Sequence, residues 1–293
     1  MEYWVNYNFF RVIAGEEGYD FTEALRAVDL GPRDRARSRE YGDTWLRLQR
    51  VFDSGDNIIG EFVRINTHEL LELFDIDGNS EEIEASLEQG HGVRTLTLFS
   101  PTYSVLVTES RRSGVTPKMI FWYFKEIGRR ESFEAETVLR PGVFSRIPKN
   151  RRIRSFYFKA APPENPEVYR LRGARILDFL NKTKQYHRDG ALIEVKIHLG
   201  RGRGGDSLDD KEVISDAHVL VDAYDSAERV EKVIIAGRDE EKDEGFQINL
   251  IEDRMRESVT VDVPTGRLLI DERLRALERA FSKQLGNLRR LFG

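Results

Sequence analysis

The chain has 293 residues, with 46 lysines and arginines against 51 aspartates and glutamates, and it has no cysteine. Because 40% of the residues are hydrophobic, the protein is too apolar to be disordered, and the lack of cysteine excludes disulfides, thiolate zinc sites and cysteine nucleophiles. The net charge of −5 argues against a uniformly basic nucleic-acid coat. No apolar run is long enough to span a membrane, and the first ten residues lack a signal-peptide pattern. We therefore expect a soluble, cytoplasmic protein that does not bind membranes.

The first half of the chain predicts strands and two helices. Tyr3–Val12 is rich in aromatic and β-branched residues, which favours a strand. Asp20–Leu30 has apolar residues at helical spacing, and the glycine and proline that follow it end a helix. Further strands are predicted at Thr44–Phe52, Ile58–Ile65, Val93–Phe99 and Tyr103–Glu109, a second helix at Thr116–Ile127, and strands again from Phe133 to Phe158.

The second half of the chain predicts three more helices and four more strands. Three prolines between residues 161 and 167 disfavour both a helix and a central strand, which indicates a linker. The helices are predicted at Arg170–Lys184, Asp206–Tyr224 and Arg267–Phe292, and the strands at Ala191–Leu199, Lys232–Gly237, Phe246–Glu252 and Ser258–Val263. Together these elements predict an α+β fold of mostly antiparallel sheets with flanking helices. We place one domain at residues 1–160 and a second at residues 168–293.

The long C-terminal helix is amphipathic. Its apolar stripe consists of Ile270, Leu274, Leu277, Phe281, Leu285, Leu288 and Phe292. Such a stripe packs either against the same subunit or against the same helix of a second copy. Both arrangements stay open at this point, and we expect a homodimer.

The most polarised segment of the chain is Arg140–Ala160, which contains no acidic residue. It holds seven cations interleaved with four aromatic residues, namely Arg140, Arg146, Lys149, Arg151, Arg152, Arg154 and Lys159 with Phe144, Phe156, Tyr157 and Phe158. Cations without counter-charges repel one another, and they are best tolerated beside an anion such as the phosphate backbone of nucleic acid. The alternative is a set of solvated strand edges on which positive charge discourages aggregation.

Two smaller arginine pairs extend this candidate surface. Arg111 and Arg112 precede the helix that begins near Pro117, and Arg201 and Arg203 lie in a glycine-rich loop. That loop, Gly200–Gly205, matches the spacing of a dinucleotide fingerprint, but no doubly wound parallel array surrounds it. The loop fits flexible arginines that touch phosphate groups, or plain disorder, and we predict no bound cofactor.

Glu194 and Lys196 suggest a catalytic alternative. Residues two apart on a strand share one face, as a Mg²⁺-dependent Glu-x-Lys nuclease requires, and Asp178 or Asp189 could supply a second acid. The same pair also fits an exposed strand face with a cross-strand ion pair. The histidines show no metal-ligand spacing, and no nucleophile motif is present. We therefore predict no catalytic residue and no metal site, so the leading hypothesis is a protein that is not an enzyme.

Two further segments have open interpretations. The acidic run Asp239–Glu244 fits a solvated hairpin tip, or a segment that shields a basic surface until DNA displaces it. The aromatic N-terminal strand, with Trp4 and Phe10, could bind a phage or host protein. In that case the chain would be a protein-interaction module.

The segment Thr97–Ile127 carries a family resemblance. It reads TLFSPTYSVLVTESRRSGVTPKMIFWYFKEI, a strand pair followed by a turn and a helix, and it resembles the corresponding part of RexA-type phage-exclusion proteins. Gly190–Gly200, Phe246–Val263 and the terminal helix with Arg289 and Arg290 follow in the same order. The resemblance implies a phage-encoded, two-domain, dimeric protein that binds duplex DNA without sequence preference. RexA-type proteins have been likened in architecture to recombination-associated proteins that encircle duplex DNA. The expected role is therefore in phage exclusion or in the choice between lysis and lysogeny.

Overall fold

The structure, a computed structural model, divides the chain into two compact units. It describes residues 2–14, 20–31, 37–67, 72–74, 80–82, 91–111, 113–127, 133–143, 146–149, 151–161, 175–183, 192–199, 207–224, 230–263 and 268–293. Unit 1 comprises Met1–Glu136 and Arg256–Gly293, and unit 2 comprises Thr137–Met255. Unit 2 is therefore an insertion in the sequence of unit 1.

The elements confirm the predicted α+β class. The described strands are β1 (Glu2–Ala14), β2 (Ser38–Tyr41), β3 (Thr44–Ser54), β4 (Asn57–Asn66), β5 (Glu72–Phe74), β6 (Ser80–Glu82), β7 (His91–Ser100), β8 (Val105–Glu109), β9 (Phe133–Thr137), β10 (Arg151–Ala160), β11 (Ile193–His198), β12 (Val230–Asp239), β13 (Glu244–Asn249) and β14 (Arg256–Asp262). The described helices are α1 (Phe21–Asp29), α2 (Pro117–Glu126), α3 (Arg175–Lys182), α4 (Asp210–Tyr224) and α5 (Ile270–Phe292). Every strand pair whose residue register the structure describes is antiparallel.

Local sequence signals account for the helix starts in unit 1. The Asp20 carboxylate accepts a hydrogen bond from the backbone N–H of Thr22 at 2.8 Å, so it caps α1. The Thr116 hydroxyl accepts from the backbone N–H of Met119 at 3.4 Å, and Pro117 occupies the first turn of α2. These caps explain why the predicted helices at Asp20–Leu30 and Thr116–Ile127 are confirmed to within a residue or two.

Unit 1 is built on a large sheet that has helices on both faces. The strand order is β14-β1-β8-β7-β4-β3-β2, and β9 also pairs with β1. Phe10 packs with α1 and α2 in one hydrophobic cluster, where Phe21 meets four other phenylalanine rings edge to face or nearly so. Tyr7 points to the opposite face because side chains alternate along a strand, and that face lies against α5.

Unit 2 contains a four-stranded sheet that the predicted domain boundary divides in two. Its order is β11-β10-β12-β13, and α3 and α4 cover one face. The structure thus differs from the predicted domains, residues 1–160 and 168–293. β10 belongs with β11 and β12, and β14 pairs with β1 of unit 1. The boundary differs because strand pairing joins segments that are far apart in the chain. Residues 162–167 of the expected linker lie outside the described residues, yet the strands on either side of them are neighbours in one sheet.

The amphipathic stripe of α5 packs against its own chain. Leu277, Phe281 and Leu288 are buried, together with Ala276 and Ala280 between them. α5 contacts β14, β1, β7 and β8. The first of the two arrangements left open for this stripe is therefore present, and the dimer stays a prediction.

A buried ion pair attaches α5 to the sheet. Arg273 donates two hydrogen bonds to the Glu109 carboxylate of β8, and the two side chains are only 7% and 1% exposed. The backbone N–H of Leu96 also donates to Glu109, at 3.4 Å, and Arg273 reaches the carbonyl oxygen of Arg94 at 2.9 Å. Each buried charge therefore has both a counter-ion and further hydrogen bonds, which a buried pair needs if it is to persist.

Replacing Arg273 with alanine should destabilise unit 1 severely. Glu109 would stay buried after losing its principal counter-ion, so we expect the free energy of unfolding to fall by about 3–5 kcal/mol. The matched control is Arg275→Ala on the exposed side of α5, which should change it by less than about 0.5 kcal/mol. Urea unfolding followed by tryptophan fluorescence measures both changes. Equal effects of the two substitutions would contradict the anchoring role.

The burial of Tyr7 makes the stability of unit 1 depend on pH. Its ring is fully buried, and its hydroxyl has no hydrogen-bond partner among the described residues. Burial, with the adjacent Glu109 charge, raises the pKa of Tyr7 above its ordinary value. The folded state thus keeps the proton at a pH where the unfolded chain, with a tyrosine pKa of about 10, has lost it.

Stability should therefore fall as the pH rises above about 10, and Tyr7→Phe should reduce that fall. Between the unfolded and folded pKa values, the Tyr7 contribution to the slope is up to about 1.4 kcal/mol per pH unit. At pH 7 the substitution should be nearly neutral, because it removes a buried hydroxyl that has no partner among the described residues. Urea unfolding of both proteins from pH 7 to pH 11 measures the difference. Parallel alkaline profiles would show that Tyr7 does not ionise on unfolding in this range.

Candidate nucleic-acid interface

The second half of the basic segment forms β10, an inner strand of the unit 2 sheet. Phe156, Phe158 and Ala160 point inward and are buried in the hydrophobic core with α3 and α4. Tyr157 and Lys159 alternate with them and point to the other face, where both are partly exposed. This second face, which we call the outer face, displays side chains from β10, β11 and β12.

Four of the predicted phosphate-binding residues have acidic partners. Arg146 pairs with Asp253, Arg152 with Glu240, and Lys159 with Glu231 at 2.5 Å. Nε of Arg151 lies 2.9 Å from an Asp210 oxygen, although the N–H is not aligned for a hydrogen bond. The expectation that the cations of this segment lack counter-charges is therefore wrong for these four residues. Their partners come from α4, from β12, from the hairpin after β12 and from the turn before β14, so no local stretch of sequence shows them.

The other predicted residues fall into three groups. Lys149 is exposed and Arg154 half-buried, and neither has an acidic partner among the described residues. Arg111 belongs to unit 1, where its Nη1 donates to the carbonyl oxygen of Arg94 at 3.2 Å. Arg112, Arg201 and Arg203 lie outside the described residues. The structure thus places β10 and its flanking residues in unit 2 and Arg111 in unit 1.

The outer face also holds cations that the local sequence pattern did not single out for binding. Lys232 of β12 lies directly opposite Lys159, and Arg238 lies directly opposite Arg152. Lys196 of β11 lies opposite Tyr157 and is exposed. Like charges directly opposite each other destabilise an antiparallel pair. A nearby anion reduces this repulsion. The two like-charge pairs, Lys159 with Lys232 and Arg152 with Arg238, are visible only once the strand register is known.

Tyr157 is the aromatic residue of the outer face. Its hydroxyl donates a hydrogen bond to Glu194, and partial loss of water together with this bond raises the pKa of Tyr157. Glu194 lies opposite Lys159 in the register, and the Glu231 carboxylate raises the pKa of that lysine. Both groups keep their protons at neutral pH, so the face carries a neutral phenol between ammonium groups.

Glu194 and Lys196 share the outer face, as the Glu-x-Lys pattern predicts. No group of three histidine or acidic side chains among the described residues is placed to hold a metal ion. The Asp178 side chain and all of Asp189 lie outside the described part. The observed surroundings of Glu194 match the cross-strand alternative, because its neighbours are Lys159 and Tyr157.

The acidic run Asp239–Glu244 forms the tip of the β12–β13 hairpin. Asp239 is buried and accepts hydrogen bonds from two backbone N–H groups of the turn. Glu240 pairs with Arg152, and Asp243 pairs with Arg238 at 2.6 Å. The predicted hairpin tip is therefore present, and two of its carboxylates neutralise the two directly opposed arginines, Arg152 and Arg238.

Two remaining predictions concern a protein-binding N-terminal strand and the lack of membrane binding. Trp4 is 67% exposed, whereas Phe10 is buried under α1 and α2 and is unavailable to a partner. None of the helices in the described ranges is long and apolar enough to cross a membrane.

The comparisons with known proteins place the chain in a family without assigning an activity. A family model described as a family of unknown function, DUF6731, matches residues 4–287, so the chain belongs to this family. No curated protein matches it.

Neutralising the paired carboxylates of the hairpin tip should strengthen binding to a polyanion. In the variant Glu240→Gln/Asp243→Asn, Arg152 and Arg238 lose their partners. Two additional phosphate contacts should steepen the dependence of log affinity on log salt by up to about 1.8. The control Glu241→Gln/Glu244→Gln removes the same charge from exposed positions of the same hairpin. Titration of duplex DNA at several salt concentrations measures the slopes, and identical slopes for the two variants would contradict a shielding role.

Proposed function

We propose that this member of DUF6731 binds duplex DNA without reading its sequence, through the outer face of unit 2. The observation that supports the proposal most strongly is the convergence of cations from three adjacent strands on one sheet face. Lys159, Lys196 and Lys232 surround Tyr157 there, and Arg152 and Arg238 lie opposite each other further along the same strands, beyond the row of Ser155 and Ala236. A partner that supplies closely spaced negative charges would replace the carboxylates paired with Arg152, Lys159 and Arg238, and it would add anions beside Lys232.

Two classes of cation would act in binding. Lys149, Arg154, Lys196 and Lys232 would contact phosphate groups directly, whereas Arg152, Lys159 and Arg238 would exchange a carboxylate for a phosphate. Because Glu194, Glu231 and Glu240 lie among them, the net attraction is moderate, and binding should weaken steeply as salt rises.

The position of the helices supports binding without base readout. α3 and α4 pack on the inner face of the sheet, so neither is presented on the outer face to enter a major groove. Contacts from the outer face would therefore fall mainly on the sugar–phosphate backbone, which carries no sequence information directly.

The biological setting is proposed on the resemblance of Thr97–Ile127 to RexA-type proteins. It is a role in phage exclusion or in the choice between lysis and lysogeny, for a cytoplasmic homodimer that does not act as an enzyme. Light scattering with and without a 40-base-pair duplex (a length of about four helical turns) tests the dimer and the ligand together.

A protein-interaction role for unit 1 is the second candidate, and the exposure of Trp4 favours it. The two functions separate in a pull-down. A partner that persists after nuclease treatment and is lost in Trp4→Ala would support the interaction role. A partner lost on nuclease treatment would support DNA.

The substitution Lys196→Gln/Lys232→Gln should weaken DNA binding without unfolding the protein. Both lysines are exposed, whereas reversal of Arg151 or Arg152 would also break an ion pair. Loss of two phosphate contacts should reduce the salt slope by about 2. The matched control is Lys182→Gln/Lys211→Gln, which removes exposed lysines of α3 and α4.

Gel retardation of a long duplex by micromolar protein, first at low salt and then over a series of salt concentrations, provides the measurement. We expect retardation by the wild-type protein and the control, and weaker retardation by the Lys196→Gln/Lys232→Gln variant. Absence of retardation by the wild-type protein would rule out the proposed function.

A further inference from the structure

A separate group of arginines surrounds two buried carboxylates in unit 1. Glu61 of β4 and Glu109 of β8 lie in one row of the sheet, because Leu96 of β7 pairs with Glu61 and its N–H reaches Glu109. Both carboxylates point to the face against which α5 packs. We use the name arginine cluster for the three partly exposed side chains around them, Arg50, Arg94 and Arg111.

Each carboxylate has more than one arginine. Glu61 is fully buried; Nε of Arg50 lies 2.6 Å from one of its oxygens, and Nη1 of Arg94 lies 3.3 Å from the other. Glu109 is bound by Arg273, and Nε of Arg111 lies 3.7 Å from it. One guanidinium is sufficient to neutralise each carboxylate, so the six groups together carry two positive charges in excess.

The excess charge lies at the surface. The side chains of Arg50, Arg94 and Arg111 are 42%, 53% and 40% exposed, whereas Arg273 is buried. Arg111 donates to the backbone carbonyl of Arg94, which places the two residues side by side. Each guanidinium has five N–H groups, so several donors of the cluster remain available to a ligand.

We propose that the arginine cluster is a binding site for a single phosphate group, either free or as the ester of a small molecule. A phosphate monoester carries a charge of about −1.5 to −2 at neutral pH, which matches the excess positive charge, and it accepts the paired N–H donors of a guanidinium. Ion pairs with the buried carboxylates already fix the guanidinium groups, so little side-chain freedom is lost when the ligand binds.

This site is independent of the proposed DNA-binding function. It belongs to unit 1, it shares no residue with the outer face of unit 2, and its ligand is a single phosphate group rather than a polymer. Failure of DNA binding would leave it unaffected.

Isothermal titration of the full chain with inorganic phosphate tests the site, with potassium chloride of matched ionic strength as the blank. We expect saturable binding of phosphate and none of chloride. Arg94→Gln and Arg111→Gln should each weaken binding about tenfold to a hundredfold, because each removes charge-assisted hydrogen bonds. In these variants Glu61 keeps Arg50 and Glu109 keeps Arg273, so the fold should be retained.

Two control variants and a second ligand complete the titration. Arg289→Gln, on the exposed end of α5, should bind phosphate as the wild-type protein does. Arg94→Lys keeps the charge and loses the planar fork, so intermediate affinity is expected. Titration with adenosine monophosphate separates the two sources of the group: tighter binding than phosphate assigns an ester, and weaker binding assigns free phosphate. Phosphate heats equal to the chloride blank, or equal weakening by Arg289→Gln and Arg94→Gln, would overturn the proposal.

Discussion

The buried ion pair between Arg273 and Glu109 is the interaction on which unit 1 depends. It joins the last helix of the chain to a strand in the middle of the sheet, at a depth where neither charge could remain alone. Because the same guanidinium also reaches the Arg94 carbonyl, the pair fixes α5 against two neighbouring strands. Leu277, Phe281 and Leu288 of α5 are buried as well, and the ion pair fixes the position in which they pack.

The two units differ in where the acidic partners of their surface cations lie. In unit 1 Glu61 is buried, and Arg50 and Arg94 beside it reach the surface, so a ligand would add to an existing network. In unit 2 the acids are at the surface beside the cations, so a ligand would have to replace them. The first arrangement favours a fixed site for one small anion. The second favours exchange along a polymer, with an affinity that depends strongly on salt.

Signals confined to a few residues were sufficient to predict most elements. The caps at Asp20 and Thr116, and the alternation of Ile193–His198, depend only on neighbours in the chain, and the structure confirms the elements they predict. The pairing of strands could not be predicted in this way. A domain boundary at residue 160 follows from local prolines, but β10 pairs with β12, some 80 residues later in numbering.

The same limit applies to the candidate sites. The absence of acids between Arg140 and Ala160 is correct along the chain, yet Asp210 and Glu240 lie beside Arg151 and Arg152 in space. The arginine cluster of unit 1 has no sequence signature, because its members come from β3, from β7 and from the residues after β8. Charge in a folded protein is therefore a property of register and packing as much as of composition.

The insertion of unit 2 has a consequence for synthesis on the ribosome. All of Thr137–Met255 emerges before β14 and α5, so unit 2 can complete its sheet while unit 1 still lacks an edge strand and a covering helix. During that interval Val5, Tyr7 and Glu109 are exposed to water or to chaperones, with Arg273 not yet made. Unit 1 can therefore complete its sheet only after β14 and α5 have been made, and a ribosome that stalls before them would release a chain with one folded unit and one open, aggregation-prone sheet.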